Sequence, residues 1–341
     1  MNNQLFLSGS PHVHSSESVK KIMWAVVVAL LPALLVSVYY FGLPAILVTV
    51  VSIFSCLVFE YLIQKFLIKG KNTLGNGSAV ITGLLLAFNL PSNLPLHWVV
   101  VGAFVAIVIG KMAFGGLGNN PFNPALVGRV FLLISRPVEM TKWAIPKPIW
   151  SFGVDAVTGP TPLGVMKMLA KEGSVAQFAN SYPTSDPNIL QDMPTYVQML
   201  FGQMGGSFGE ISFIALLVGA LFLLFRKVIT WHIPVSFILS SFLLAGVLFL
   251  YDPTCYVNPF FHIVTGGLML GACFMATDMV TSPVSPWGMI IFGTGCGILT
   301  IVIRVFGAYP EGVSFAILLM NAITPLINKA FKPKRFGEKI K

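Results

Sequence analysis

Apolar residues fall in long unbroken runs along this chain, and the polar residues are gathered between them. Runs near 22–41, 43–63, 97–114, 209–225, 232–250, 258–276, 286–306 and 312–328 are long enough to cross about 30 Å of hydrocarbon as helices. Two shorter runs, near 77–90 and 121–135, bring the expected number of transmembrane helices to ten. Some 14 residues of helix rise only about 21 Å, so these two are expected to be broken or re-entrant. The pattern predicts an all-α integral membrane protein: a polar leader at 1–21, a five-helix half at 22–135, a long polar loop at 136–208, a second five-helix half at 209–328 and a basic tail at 329–341.

The two halves share a pattern. TGLLLAFNLPSNLPLHW (82–98) and TGGLMLGACFMATDMVTSPVSPW (265–287) each begin Thr-Gly, continue through small residues and leave the apolar run by a polar, proline-broken exit. They lie in the third and eighth runs. Five spans apart, they cross the membrane in opposite senses, which predicts an inverted repeat of the kind that builds midplane sites in transporters. Chance likeness between two glycine-rich helices is the competing reading.

Composition strengthens this picture. The chain is 55% hydrophobic and 10% charged with a mean hydropathy of +0.83, where a soluble domain carries about 25% charged residues. The net charge of +9 does not point to nucleic acid, because the basic residues lie between apolar runs and not in an aromatic-interleaved patch. They report orientation, since short cytoplasmic loops hold the excess of Lys and Arg. With ten spans and the N-terminus inside, Lys20, Lys21, Lys65, Lys69, Lys71, Lys111, Arg226, Lys227 and six tail residues share one side, 14 in all. The short loops at 42, 91–96, 251–257 and 307–311 hold none, and the loop at 136–208 holds five. Both termini are thus expected in the cytoplasm and the long loop outside. The first 21 residues hold no apolar h-region, so the first run is expected to stay as a span.

Metal chemistry is not indicated. Cys56, Cys255, Cys273 and Cys296 show no CxxC spacing, and small buried apolar residues describe them best. His97, His232 and His262 carry no spacing that marks a haem site, and His12 and His14 stand in the polar leader. No G-x-G-x-x-G between strand and helix appears, so no dinucleotide site is expected in this chain.

The polar loop contains DAVTGPTPLG at 155–164. A residue before proline is pushed out of the α region, so Gly159 and Thr161 should be extended. Pro162 suits the first position of a helix, and LGVMKMLAK continues with Leu163, Met166, Leu169 and Ala170 on one face and Lys167 and Lys171 on the other. Thr161 is therefore the expected N-cap, beside the free N–H groups that make a helix start an anion site. The plainer reading is a cap on an amphipathic helix lying on the outer membrane surface. NNPFNPALVGR (119–129) sets three asparagines, two prolines and Arg129 at a membrane boundary, a pattern for a broken-helix site taking a planar or ionic ligand, or for a packed helix entry capped by Asn. Glu60, Lys111, Glu210 and Asp252 stand near span ends, where snorkelling or solvation is favoured, and Arg304 is also near an outer end. Asp252 and Asp278 are the candidates for an ion path.

DAVTGPT resembles the flavinylation motif, an acidic residue followed by Ser/Thr-Gly-Ala-Thr or close variants, at which a transferase joins FMN through its phosphate to the last threonine. With SPH at 10–12 and NNPFNPALVGR, it makes nearly the whole chain resemble the RnfD/NqrB family: D subunits of Rnf-type ion-translocating ferredoxin:NAD oxidoreductase complexes and their siblings, B subunits of sodium-pumping NADH:quinone reductases. The chain departs from the commoner motif at Pro160 and Thr158. The resemblance implies FMN linked by a phosphoester to Thr161, with Asp155, Thr158 and Gly159 read by the flavin transferase, on the outer side of a bacterial cytoplasmic (inner) membrane. It also implies a second, noncovalent flavin (riboflavin), for which Asn120, Asn123 and Arg129 are the candidate contacts. No complete catalytic site is expected in the chain alone. Implied partners are the other Rnf subunits, of A, B, C, E and G type, and a transported sodium ion or proton. A B-type quinone-reductase subunit and a non-redox channel or secondary transporter are the alternatives.

Overall fold

A computed structural model describes residues 18–69, 73–147, 158–171, 194–253 and 255–332. Asp155, the SPH triplet and the end of the basic tail lie outside the described residues. Helices α1 (Val19–Phe41) and α2 (Leu43–Ile63) are joined by Gly42 alone. α2 runs on through a π turn, Gln64–Ile68. A short α3 (Ser78–Phe88) leads to α4 (Leu96–Phe104), extended by the π turn Val105–Ile109, and then to α5 (Pro124–Ser135). A small lobe follows: α6 (Pro137–Met140), strands β1 (Trp143–Ala144) and β2 (Thr158–Gly159), α7 (Pro162–Lys171) and α8 (Tyr196–Phe201). The chain then forms α9 (Phe213–Phe225), α10 (His232–Tyr251), α11 (Pro259–Val264), α12 (Leu268–Leu270, prolonged by the π turn Gly271–Met275), α13 (Pro286–Phe306) and α14 (Val313–Ala330).

Among the described residues six helices are long and apolar enough to cross a membrane: α1, α2, α4 with its extension, α10, α13 and α14. α3, α5 and α9 have 11, 12 and 13 residues and rise only about 16–20 Å. Leu35, Phe54 and Leu250 are 66–81% exposed on long helices, the outward apolar belt that lipid requires.

Helix starts follow a simple local code. In Asn123-Pro124, Asn258-Pro259 and Ser285-Pro286 the first residue's side chain accepts an N–H of the first turn, while proline occupies a position whose N–H has no helical partner. Helix ends explain one departure from the sequence pattern. The run at 258–276 is not one helix: Thr265 is extended and Gly266 has φ +67, which separates α11 from α12. α3 likewise stops at Phe88, with Asn89 at its end and Pro91 beyond.

The connections sort the loops to two ends. The starts of α1, α3 and α10 and the ends of α2 and α14 share one end, the basic end, with Lys20, Lys21, Lys65, Lys69, Arg226, Lys227, Lys329 and Lys332. The lobe with Thr161 occupies the other.

α10 and α13 run side by side because Gly293 and Gly297 let the backbones approach, and Ser241 Oγ donates to Gly297 O at 3.4 Å. A Cβ at Gly297 would stand 2.6 Å from Phe237 O and 2.0 Å from Ser240 Oγ. Gly297→Leu is therefore expected to cost about 1–3 kcal/mol, seen as a lower midpoint of thermal unfolding in detergent. An unchanged midpoint would contradict this packing.

Candidate functional site

The site at the lobe end is built by two prolines and a strand pair. β1 and β2 are antiparallel, with Trp143 opposite Gly159 and Ala144 opposite Thr158. Thr158 is exposed and Gly159 half-buried. The chain then turns through Pro160 so that Thr161 Oγ1 accepts the N–H of Gly164 at 3.0 Å, capping α7. Thr161 is buried, and it lines a cavity of about 300 Å³ together with Trp143, Pro160, Lys167, Tyr309 and Glu311. A buried water needs roughly 10–15 Å³ by the same measure, so this is space on the scale of a small-molecule site.

The apolar face of α7 packs against protein. Leu163, Val165 and Met166 are buried in a cluster with Met199, Met204, Val257 and Phe261. Lys167, assigned by periodicity to the polar face, reaches inward: its Nζ donates to the carbonyls of Tyr309 (3.1 Å) and Arg304 (3.4 Å).

Below the cavity lies a buried ionic cluster. Arg129, from α5, donates to Glu210 Oε1 at 3.0 Å, to Glu311 and to Asn89 Oδ1. Glu210 lies against Gly267, where a Cβ would come within 2.6 Å of its carboxylate, so the broken helix makes room for the acid. Glu210 is thus neither snorkelling nor solvated, because Arg129 neutralises it inside the protein. The same correction applies to Glu60 and Lys111, which form a buried ion pair at 2.6 Å. Lys111 also donates to Ser78 Oγ (2.8 Å), and Glu60 Oε1 accepts from Thr73 (2.9 Å) and Gln64 (3.2 Å). Arg304 is fully buried and not at a solvated end.

The ends of the two short helices meet at the centre. Asn89, after α3, donates to Leu85 O (2.6 Å) and contacts Met275 Sδ (3.6 Å), while Asn123 donates to Met275 O at 3.2 Å. Asn123 lines a second cavity, of about 90 Å³ at the basic end, with Ile22, Met23, Lys111, Asn120 and Asp278. Asn120 donates to Phe122 O at 3.0 Å, while its Oδ1 is buried without a partner among the described residues. Asn120 and Asn123 are thus brought together, whereas Arg129 is not among the residues lining their cavity. A chain of polar groups, Glu311, Arg129, Asn89, Met275 and Asn123, runs from one cavity to the other.

Asp278 is half-buried at the basic-end cavity and accepts from Val280 N (3.4 Å) and Thr281 Oγ1 (3.3 Å). Asp252 ends α10 at the opposite end of the molecule, so the two acids are not brought together. His97 is exposed, and no His/Cys/Asp/Glu group among the described residues could hold a metal ion. Asn89, Trp143, Tyr309 and Glu311 are site residues that the sequence pattern does not single out. The proline-broken exit NLPSN marks the neighbourhood of Asn89, but nothing local marks the other three.

Comparison with known proteins is consistent along nearly the whole chain. The chain is 44% identical over 336 residues to the D subunit of the proton-translocating ferredoxin:NAD(+) oxidoreductase complex of Clostridium ljungdahlii, covering 98% of this chain and 97% of that protein. It is equally similar, at 44% over 336 residues and 98% and 95% of the two chains, to the D subunit of the Na(+)-translocating ferredoxin:NAD(+) oxidoreductase complex of Acetobacterium woodii. The D subunit of the ion-translocating oxidoreductase complex of Pectobacterium carotovorum is 38% identical over 352 residues, covering 98% of this chain and 99% of that one. The model of the NQR2, RnfD, RnfE family matches residues 6–337, and the chain belongs to that family.

Proposed function

We propose that this chain is the D-type membrane subunit of an ion-translocating ferredoxin:NAD oxidoreductase complex and that it carries FMN bonded through phosphate to the Thr161 hydroxyl. The observation that carries this reading is the position of Thr161: in a family of such subunits, the last threonine of the DAVTGPT motif caps a helix at the wall of a cavity of about 300 Å³.

The residues fit the group. Phosphate oxygens on Thr161 would meet the N–H groups at the start of α7, and Lys167 lies in the same cavity. Glu311 also lines that wall, but its charge is met by Arg129. Trp143, Tyr309, Pro160 and Met168 offer apolar and aromatic surface that would hold a planar ring and keep water from it. When bound, FMN supplies the electron-carrying chemistry, and the protein sets its place and its electrostatic surroundings.

In this reading the basic end faces the cytoplasm, and the chain crosses a bacterial inner membrane ten times in two inverted halves. Support comes from the six long and three shorter apolar helices together with the broken pair α11 and α12, and from the meeting of the ends of α3 and α12 at Asn89 and Met275. A noncovalent riboflavin is assigned to the basic-end cavity, where Asn120 Oδ1 offers an acceptor to a ligand N–H. At about 90 Å³ that cavity is narrower than a flavin ring system needs, so riboflavin would require it wider than it stands in this structure. Asp278 is the candidate ion-path acid at that cavity, and Asp252 marks the opposite end. The coupling ion is sodium or a proton, each named for a relative at 44% identity. Other subunits of the complex and a flavin transferase are the partners.

The test is direct. Expressed with its flavin transferase and run on a denaturing gel, the chain is expected to give a fluorescent flavin band at its own mass, and a dark band would contradict the proposal.

A further inference from the structure

We propose that FMN is attached before the lobe packs: the flavin transferase acts on residues 158–166 while they are still uncovered, and the packed lobe is the state that follows attachment. The inference rests on the reading of Thr161 as the attachment residue.

In the packed lobe the acceptor is not presented to a second protein. Thr161, Pro162 and Leu163 are buried in succession, Thr161 at 5% and Leu163 at 1% exposure, and the Thr161 hydroxyl is held against Gly164 N. On one side Met204, Gly205, Ser207 and Glu210 close over it and leave a space of about 10 Å³, the room of a single water. On the other side the cavity of about 300 Å³ has the scale of a small-molecule site and leaves no space for the catalytic groups of another protein. The residues before the acceptor are engaged as well. Thr158 and Gly159 pair with Ala144 and Trp143, and a Cβ at Gly159 would stand 3.1 Å from the Ile145 side chain. A transferase that reads this segment must replace those contacts.

The reaction demands close access to the hydroxyl. Joining a phosphate to it needs an activated phosphorus, as in the pyrophosphate of a flavin dinucleotide. The Thr161 oxygen bonds to the flavin-side phosphorus, and the bond from that phosphorus to the bridging oxygen breaks. The leaving mononucleotide keeps the electron pair, and the hydroxyl proton passes to the transferase.

Chain order supplies the opportunity. The apolar face of α7 is covered by Met199, Met204, Val257 and Phe261, and the carbonyls that hold Lys167 belong to Arg304 and Tyr309. All of these follow the motif in the sequence, so residues 158–166 are made before their cover exists. Only the two-residue strand β1 precedes them, and so short a pair is marginal by itself. Once the cover has formed, attachment requires local opening, and its rate falls with the fraction of chains that are open.

The test uses the full-length chain made without the transferase, purified folded in detergent and then incubated with transferase and FAD, with covalent flavin followed by denaturing-gel fluorescence. The parent chain is expected to gain flavin about tenfold or more slowly than Met199→Ala, which loosens the cover on α7 and leaves the motif intact. Met204→Ala, in the same cluster, is expected to label as fast even if Met199→Ala folds poorly. Equal rates in the parent and both variants, whether fast or nil, would overturn the proposal. The parent chain made together with the transferase is expected to carry covalent flavin; a dark band there would remove the reading of Thr161 itself and this inference with it.

Discussion

Arg129→Ala is expected to lower the stability of the folded chain by about 3–5 kcal/mol, the range for breaking a buried ion pair from one side. Arg129 is 3% exposed and binds two carboxylates and an amide from three separate parts of the chain: Asn89 after α3, Glu210 before α9 and Glu311 before α14. Its loss leaves Glu210, 4% exposed, facing Glu311 with no cation in ion-pair contact with either acid among the described residues. Thermal unfolding in detergent should show a large drop in midpoint. A compensated variant, Arg129→Met with Glu210→Gln and Glu311→Gln, should recover much of the loss, because apolar or neutral replacement of a whole ionic cluster is far less costly than orphaning part of it. A midpoint for Arg129→Ala close to that of the parent chain would show that these groups are hydrated and not locked together.

Thr161→Ala is expected to abolish covalent flavin while the chain still inserts and folds. The attachment chemistry needs the hydroxyl, so the effect on flavin content is all or nothing. The cap it removes is worth about 0.5–2 kcal/mol, a minor loss beside the packing of Leu163, Val165 and Met166. Thr161→Ser keeps both the cap and a hydroxyl, so it separates failure of attachment from failure of the helix. Denaturing-gel fluorescence, compared at equal protein in the membrane fraction, reads the result. Flavin retained by Thr161→Ala would move the attachment to another residue.

Much of this architecture is written locally in the chain, and the parts that are not share a physical reason. α13 occupies 286–306, the same bounds as its apolar run, because Ser285-Pro286 starts it and hydropathy sustains it. Thr161 is legible as a cap because two prolines restrict the backbone beside it without reference to anything distant. The break at Thr265–Gly266 is not legible, since summed hydropathy carries no information on φ. Glu60 and Lys111 stand 51 residues apart in the sequence, and Arg129 finds Glu311 across 182. Such pairs are made by helix packing, so sequence shows each charge near a span end and no partner for it. Lys167 illustrates the same gap: helical periodicity assigns it to a polar face, but the carbonyls it meets belong to α13 and the segment after it.

The proposed attachment of FMN rests on the Thr161 hydroxyl, which caps α7 at the wall of a cavity, and peptide mapping by mass spectrometry examines it most directly. In protein purified after expression with its flavin transferase, the account predicts that the peptide containing Thr161 carries one FMN through a phosphoester at that residue. An unmodified Thr161 in redox-active material, or FMN bonded to a different residue, would contradict it.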